Sequence, residues 1–146
     1  MTSNFSKGIE VVSGAIIENK EREILLTKAP SWHNKWVIPG GHIEPGETII
    51  AGTLREVTEE VGLTVKPIEI VYSGELIGSK DFNRPAHFIY LNVYCQLEDD
   101  QKVVLDNSEL TEFIWLTPEE ALKLKLAESF EKTVAGFIKY KQQSKL

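Results

Sequence analysis

Three glutamates, Glu56, Glu59 and Glu60, stand at i, i+3 and i+4 in the segment AGTLREVTEEVGL. On a helix that spacing makes neighbours of their side chains. Like charges so placed cost an isolated helix roughly 0.2–0.5 kcal/mol per pair. They also fall toward the helix C-terminus, where the dipole disfavours anions. A hard divalent cation is the natural compensating partner, because Mg²⁺ and Mn²⁺ take oxygen ligands and bridge to phosphates. Taken alone, three glutamates read as a solvated helix face. Their surroundings favour chemistry. Gly52 lies one turn before Glu56, which predicts room above the acids. Arg55 beside them can orient carboxylates or meet a phosphate. The glycine-rich stretch IPGGHIEPGE precedes them and lets backbone approach a ligand.

These groups need elements to hold them. The periodicity predicts a helix over Thr48 to Val61, with Ile50, Ala51, Leu54, Val57 and Val61 on one side and the three glutamates opposite. Gly62 fits the left-handed residue that ends helices. Val- and Ile-rich runs predict strands at Ile9 to Ile17 and Ile24 to Thr27, joined by a polar turn. Further strands are predicted at Trp36 to Ile38, Val65 to Ile77, Pro85 to Leu97 and Phe113 to Leu116. Thr117, Pro118 and Glu120 form a helix-start signature. A last helix is predicted over Glu128 to Lys141, with Phe130, Val134, Phe137 and Ile138 on one face. Strands interrupted by helices point to an α/β fold, a mixed sheet with helices packed on it.

Composition bounds the function. The chain has 146 residues and a formal net charge of −6. Its 42% hydrophobic content supports a real core in one domain spanning 1–146. The acidity argues against binding a nucleic-acid polymer or an anionic membrane surface. It is concentrated in two segments. Residues 41–63 carry five acids against one base, and residues 98–120 carry eight against one. The N-terminus lacks the apolar stretch of a signal peptide, and no run is long enough to span a membrane. The single cysteine, Cys95, sits in an apolar run and reads as a buried core residue, so a cytoplasmic location is expected.

The segment Gly41 to Leu63, GHIEPGETIIAGTLREVTEEVGL, resembles the Nudix box, GX5EX7REUXEEXGU. Gly41, Glu47, Arg55, Glu56, Glu59, Glu60 and Gly62 match its fixed positions, and Val57 and Leu63 fill its aliphatic ones. The resemblance implies a Nudix-type α/β/α sandwich with a mixed central sheet. It implies Mg²⁺- or Mn²⁺-dependent hydrolysis of a nucleoside diphosphate linked to another moiety. It further implies that Glu59 and Glu60 are metal ligands, joined by Glu56 and a carbonyl from Gly40 or Gly41. Glu56 is alternatively the base that activates water. Arg55 and Glu47 would hold the catalytic glutamates in place. Homodimers are common in the family.

The second acidic segment holds one residue of particular interest, Glu109 in SELTEFIW. Nudix enzymes often add an acid from such a loop, as a metal ligand or general base. Glu112 is the weaker candidate. Trp32 is a candidate stacking surface for a base, while Lys35 and Arg84 are candidate phosphate contacts. Marks of ADP-ribose hydrolases are absent, since Gly78 stands where a proline is expected. By elimination, the resemblance favours a MutT-like nucleoside triphosphate pyrophosphohydrolase. The alternatives are an ADP-ribose or nucleotide-sugar pyrophosphatase, or a non-catalytic module that binds a nucleotide. Such modules usually lose box glutamates, and this chain keeps them.

Overall fold

A computed structural model describes residues 4–144. Its centre is a seven-stranded sheet. Strand β1 (Ile9–Glu18) runs parallel to β6 (His87–Leu97) over ten residue pairs. Strand β5 (Val65–Ile77) pairs antiparallel with β6 on the outer side. On the other side, β2 (Ile24–Ala29) carries β3 (Lys35–Val37) and β7 (Glu112–Leu116), both antiparallel. The sheet is therefore mixed, as expected.

One strand was not legible as such. Gly40–His42 forms β4, antiparallel to the first half of β1, inside what the sequence marks as a loop. Glycines carry little strand propensity, so the pairing is imposed from outside. Only glycine fits there, because a Cβ on Gly40 would stand 2.0 Å from the carbonyl oxygen of Ser13. Hydrogen bonds from Ala15 N to Pro39 O (2.8 Å) and from Ile43 N to Val11 O (3.0 Å) extend the seam at both ends.

Alternation along the strands builds two apolar layers. Ala15, Ile17, Leu25, Val93 and Cys95 pack on one face with Val57 and Val61 of helix α1 (Ile49–Val61). Ile16, Ile24, Leu26 and Tyr94 pack on the other with Ala121 of helix α2 (Pro118–Ala121) and with Val134 and Phe137 of helix α3 (Phe130–Gln143). The result is an α/β/α sandwich. Cys95 is fully buried, and burial pushes its thiol up to about 12. No helix among the described residues is long and apolar enough to cross a membrane.

Helix ends follow local chemistry. Thr48 caps α1 by accepting from Ala51 N at 3.0 Å, and Gly62 ends it at φ 67°. Thr117 and Glu120 form the reciprocal capping box of α2. Helix α3 starts two residues later than predicted. Ser129 takes a left-handed φ of 78°, which breaks the helical run from Glu128.

Candidate active site

Helix α1 presents its carboxylates differently from the simple wheel. Glu59 is exposed and Glu56 half-buried, but Glu60 is buried, with 6% of its surface exposed. Glu60 lies beside Thr53 and Val57 on the sheet-facing side, so the three acids do not share one solvent face. Its Oε1 accepts from Gly40 N at 2.8 Å, which ties α1 to β4. The space over Gly52 is also not open. A Cβ there would meet Ile43 and the Glu47 carboxylate at 2.6–2.7 Å, so Gly52 lets the loop lie on the helix.

Arg55 organises the exposed half of the site. Its guanidinium donates to both oxygens of Glu47, at 2.6 and 3.1 Å. It also donates to Glu56 (3.0 Å), Glu59 (3.3 Å) and the carbonyl of His42 (3.0 Å). Two-point contact fixes the plane of the guanidinium. Glu47 is thereby held ionised, with its pKa lowered to about 2 by Arg55. Gly41 packs directly on Glu56, and a Cβ at Gly41 would stand 2.5 Å from that carboxylate.

Glu60 is the unbalanced member. Burial, then Glu109 and Glu56 nearby, push its pKa far above the carboxylate range. Burial also raises Glu56, with Arg55 opposing. Glu109 reaches Glu60 because its loop docks on the end of α1. Val104 N donates to Val61 O (3.0 Å) and Asp106 N to Glu60 O (2.8 Å), satisfying carbonyls that a helix end leaves open. Leu110, buried, anchors the loop. Glu112 is not part of this group, since it pairs with Lys28 at 3.4 Å on β2.

The donors fit a hard divalent cation, because all are oxygens and Glu60 has no cation of its own. No three His, Cys, Asp or Glu side chains among the described residues already stand in metal-ligand geometry. Arg55 holds Glu56 and Glu59 toward itself, so binding a metal there requires their free oxygens to turn inward.

A cleft of about 450 Å³ opens from Glu60, Gly40, Gly41 and Glu109. Its far wall is aromatic. The Trp32 ring lies 4.6 Å from Phe82, 5.3 Å from Phe130 and 6.0 Å from Phe88, centroid to centroid. Trp32 is thus placed where a planar ligand can stack. Trp36 packs instead with the α3-side core, and Lys28 sits 5.1 Å over its ring.

Arg84 and Lys35, expected at phosphate, do not line this cleft. Arg84 grips buried Glu10 with two bonds of 2.7 and 2.8 Å, and His42 reaches the same carboxylate at 2.6 Å. Lys35 pairs with Asp81, which also accepts from Glu128 N. Both cations already have internal carboxylates, a competition invisible in local sequence. One cleft residue was not anticipated, Asn92 on β6. Its signal was a lone amide in the apolar run FIYLNVYC.

A profile of the NUDIX domain matches residues 9–137, which is most of the chain. The protein belongs to the Nudix family. Among its Nudix relatives, the CTP pyrophosphohydrolase of Escherichia coli (strain K12) is 32% identical over 124 residues, covering 83% of this chain and 84% of that protein. The m7GpppN-mRNA hydrolase NUDT17 of Bos taurus is 30% identical over 140 residues, covering 84% of this chain and 46% of that protein. The chain spans less than half the length of the NUDT17 relatives it matches. An Ap4A hydrolase from C. elegans has the same fold, with a TM-score of 0.77 at 21% identity over 92% of this chain and 98% of that one.

Proposed function

We propose that this Nudix chain hydrolyses a phosphoric anhydride bond in a nucleoside diphosphate-linked substrate, with a nucleoside triphosphate as the substrate class and Mg²⁺ or Mn²⁺ as the metal. The observation that carries the reading is Glu60. It is a buried carboxylate that faces two further carboxylates and no cation, at the mouth of a cleft ending in aromatic rings. The relative matched over most of both chains, a CTP pyrophosphohydrolase, supports the triphosphate class.

Glu56, Glu59 and Glu60, with the backbone at Gly41, would hold the metal. When bound, it lowers the pKa of water and neutralises the anhydride oxygens. Gly40 N fixes one oxygen of Glu60 and leaves the other to ligate. Arg55 fixes Glu56 and Glu59 on one side, and Glu47 holds Arg55. Glu109, exposed and in no ion pair among the described residues, is our assignment for the base that takes the proton of the attacking water, with Glu56 the other candidate. Trp32 and Phe82 would stack the base. The single buried thiol supports a reducing, cytoplasmic setting.

The test is a panel of nucleoside triphosphates, ADP-ribose, nucleotide sugars and dinucleoside polyphosphates with Mg²⁺, with products resolved. We expect nucleoside triphosphates to turn over fastest and Glu60→Gln to lower turnover at least about a thousandfold. Equal rates for wild type and Glu60→Gln would contradict the site assignment. Tight nucleotide binding with no turnover would favour a binding module.

A further inference from the structure

The floor of the cleft holds one polar group that the proposed mechanism does not use. Asn92 on β6 is 3% exposed and lines the cleft. Thr133 on α3 donates from Oγ1 to its Oδ1 at 2.7 Å. That length suits O–H···O better than N–H···O, and it turns Nδ2 away from α3. Nδ2 lies over Gly14 of β1, 3.2 Å from where a Cβ would sit, so the missing side chain leaves the amide room. Nδ2 has no hydrogen-bond partner among the described residues. Yet no fully enclosed side-chain N or O atom among them is unpaired. Nδ2 must therefore open onto the cleft.

A ligand seated in the cleft excludes water from Nδ2, and a donor then left unpaired costs about 1–3 kcal/mol. A ligand that supplies an acceptor at this point avoids that cost, and one that does not is disfavoured. The aromatic wall of Trp32, Phe82 and Phe88 stands in the same cleft, so the acceptor belongs on a planar ring. A free asparagine reads adenine with both amide atoms, taking the amino donor on Oδ1 and giving Nδ2 to a ring nitrogen. Here Oδ1 is already engaged by Thr133. Adenine could then offer Nδ2 only a ring nitrogen, and its amino group would lose its acceptor, because Oδ1 is turned to α3. A keto oxygen meets a donor.

We propose that Asn92, oriented by Thr133, is a specificity-determining residue that reads a keto-bearing nucleobase in this cleft and disfavours adenine. This rests on the reading of the cleft as a nucleotide site, but not on hydrolysis.

The experiment measures KM and kcat for GTP, CTP, UTP, ATP and base-free ribose 5-triphosphate, together with calorimetric binding of their α,β-imido analogues in Mg²⁺. We expect wild type to prefer the keto-bearing nucleotides over ATP. Asn92→Ala should raise KM for the best of them about tenfold, the loss of one buried hydrogen bond. It should leave kcat within about twofold and ribose 5-triphosphate unchanged. Thr133→Val keeps the shape but frees the amide to turn, and should narrow the gap between ATP and the keto nucleotides. A wild type that prefers ATP overturns the inference. So does an equal KM rise for ribose 5-triphosphate, which would mark Asn92 as structural. Unselective turnover leaves the hydrolase reading standing and this one refuted. Selective, Asn92-dependent analogue binding without turnover does the reverse, and absence of both binding and turnover ends both.

Discussion

Glu10 and Glu60 are equally buried, at 7% and 6% exposure, and they have opposite surroundings. Glu10 meets Arg84 with both oxygens and His42 with one, and Arg84 holds its pKa down at about 2. Glu60 meets one backbone amide and two carboxylates, and its proton affinity rises. The difference separates a brace from a site. Around Glu10 the chain supplies its own cations, and the result joins β1, β4 and the loop that carries Phe82. Around Glu60 the chain supplies none, so the carboxyl takes up a proton or, in our reading of the site, a metal ion from solution. Surface exposure alone would not distinguish the two; the deeper desolvation of Glu60 and the sign of the nearest charges do.

The largest effect on this comparison should come from breaking the brace. Glu10→Gln leaves Arg84 without its partner, and we expect about 2–4 kcal/mol lower unfolding free energy at pH 7, read by urea titration. The pH dependence has a definite sign. The folded-state pKa of Glu10 is lowered from 4.5 to about 2. Its contribution is therefore complete above about pH 4.5 and is lost as pH falls through about 2. The gap between variant and wild type should close over that window, and a gap that widened with acid would remove Glu10 from the account.

A smaller effect should come from loosening the site without emptying it. Arg55→Lys keeps a positive charge but loses the two-point grip on Glu47 and the contacts to Glu56, Glu59 and the His42 carbonyl. Partners that orient metal ligands are worth about 10–100-fold when removed. We expect about tenfold lower kcat and a raised Mg²⁺ requirement, with stability changed by less than about 1 kcal/mol. Unchanged Mg²⁺ dependence would show that Arg55 does not position the carboxylates.

The two regions also differ in how far the sequence revealed them. The box, its helix with the Gly62 end, the Thr117 capping signature and the long strands were legible, because spacing and local propensity specify them. Glu109 was singled out through the family resemblance, and the fold brings it beside Glu60 in the cleft. The strand at Gly40–His42 was not, since its partner is β1 and its residues have no strand preference. The burial of Glu60 was hidden for a related reason. A wheel assigns faces by apolarity, and here β4 and the 104–110 loop cover a polar flank of α1. The brace was wholly illegible, because Glu10 and Arg84 are 74 residues apart in sequence. An arginine near an active site reads as a phosphate ligand until its internal carboxylate is known.

In our reading the cation that balances Glu60 comes from outside the chain. Thermal unfolding of wild type and Glu60→Gln at neutral pH, with and without Mg²⁺, decides between an external and an internal cation. Without Mg²⁺ the variant should be the more stable, by about 3–6 °C, because folding at neutral pH no longer has to bring a proton onto a buried carboxyl whose pKa stands far above its ordinary value. Mg²⁺ should raise the wild-type Tm saturably, as a ligand that binds only the folded state does, and leave the variant nearly unmoved. A variant that melts below wild type without metal, or that gains as much from Mg²⁺, would show that Glu60 holds no metal.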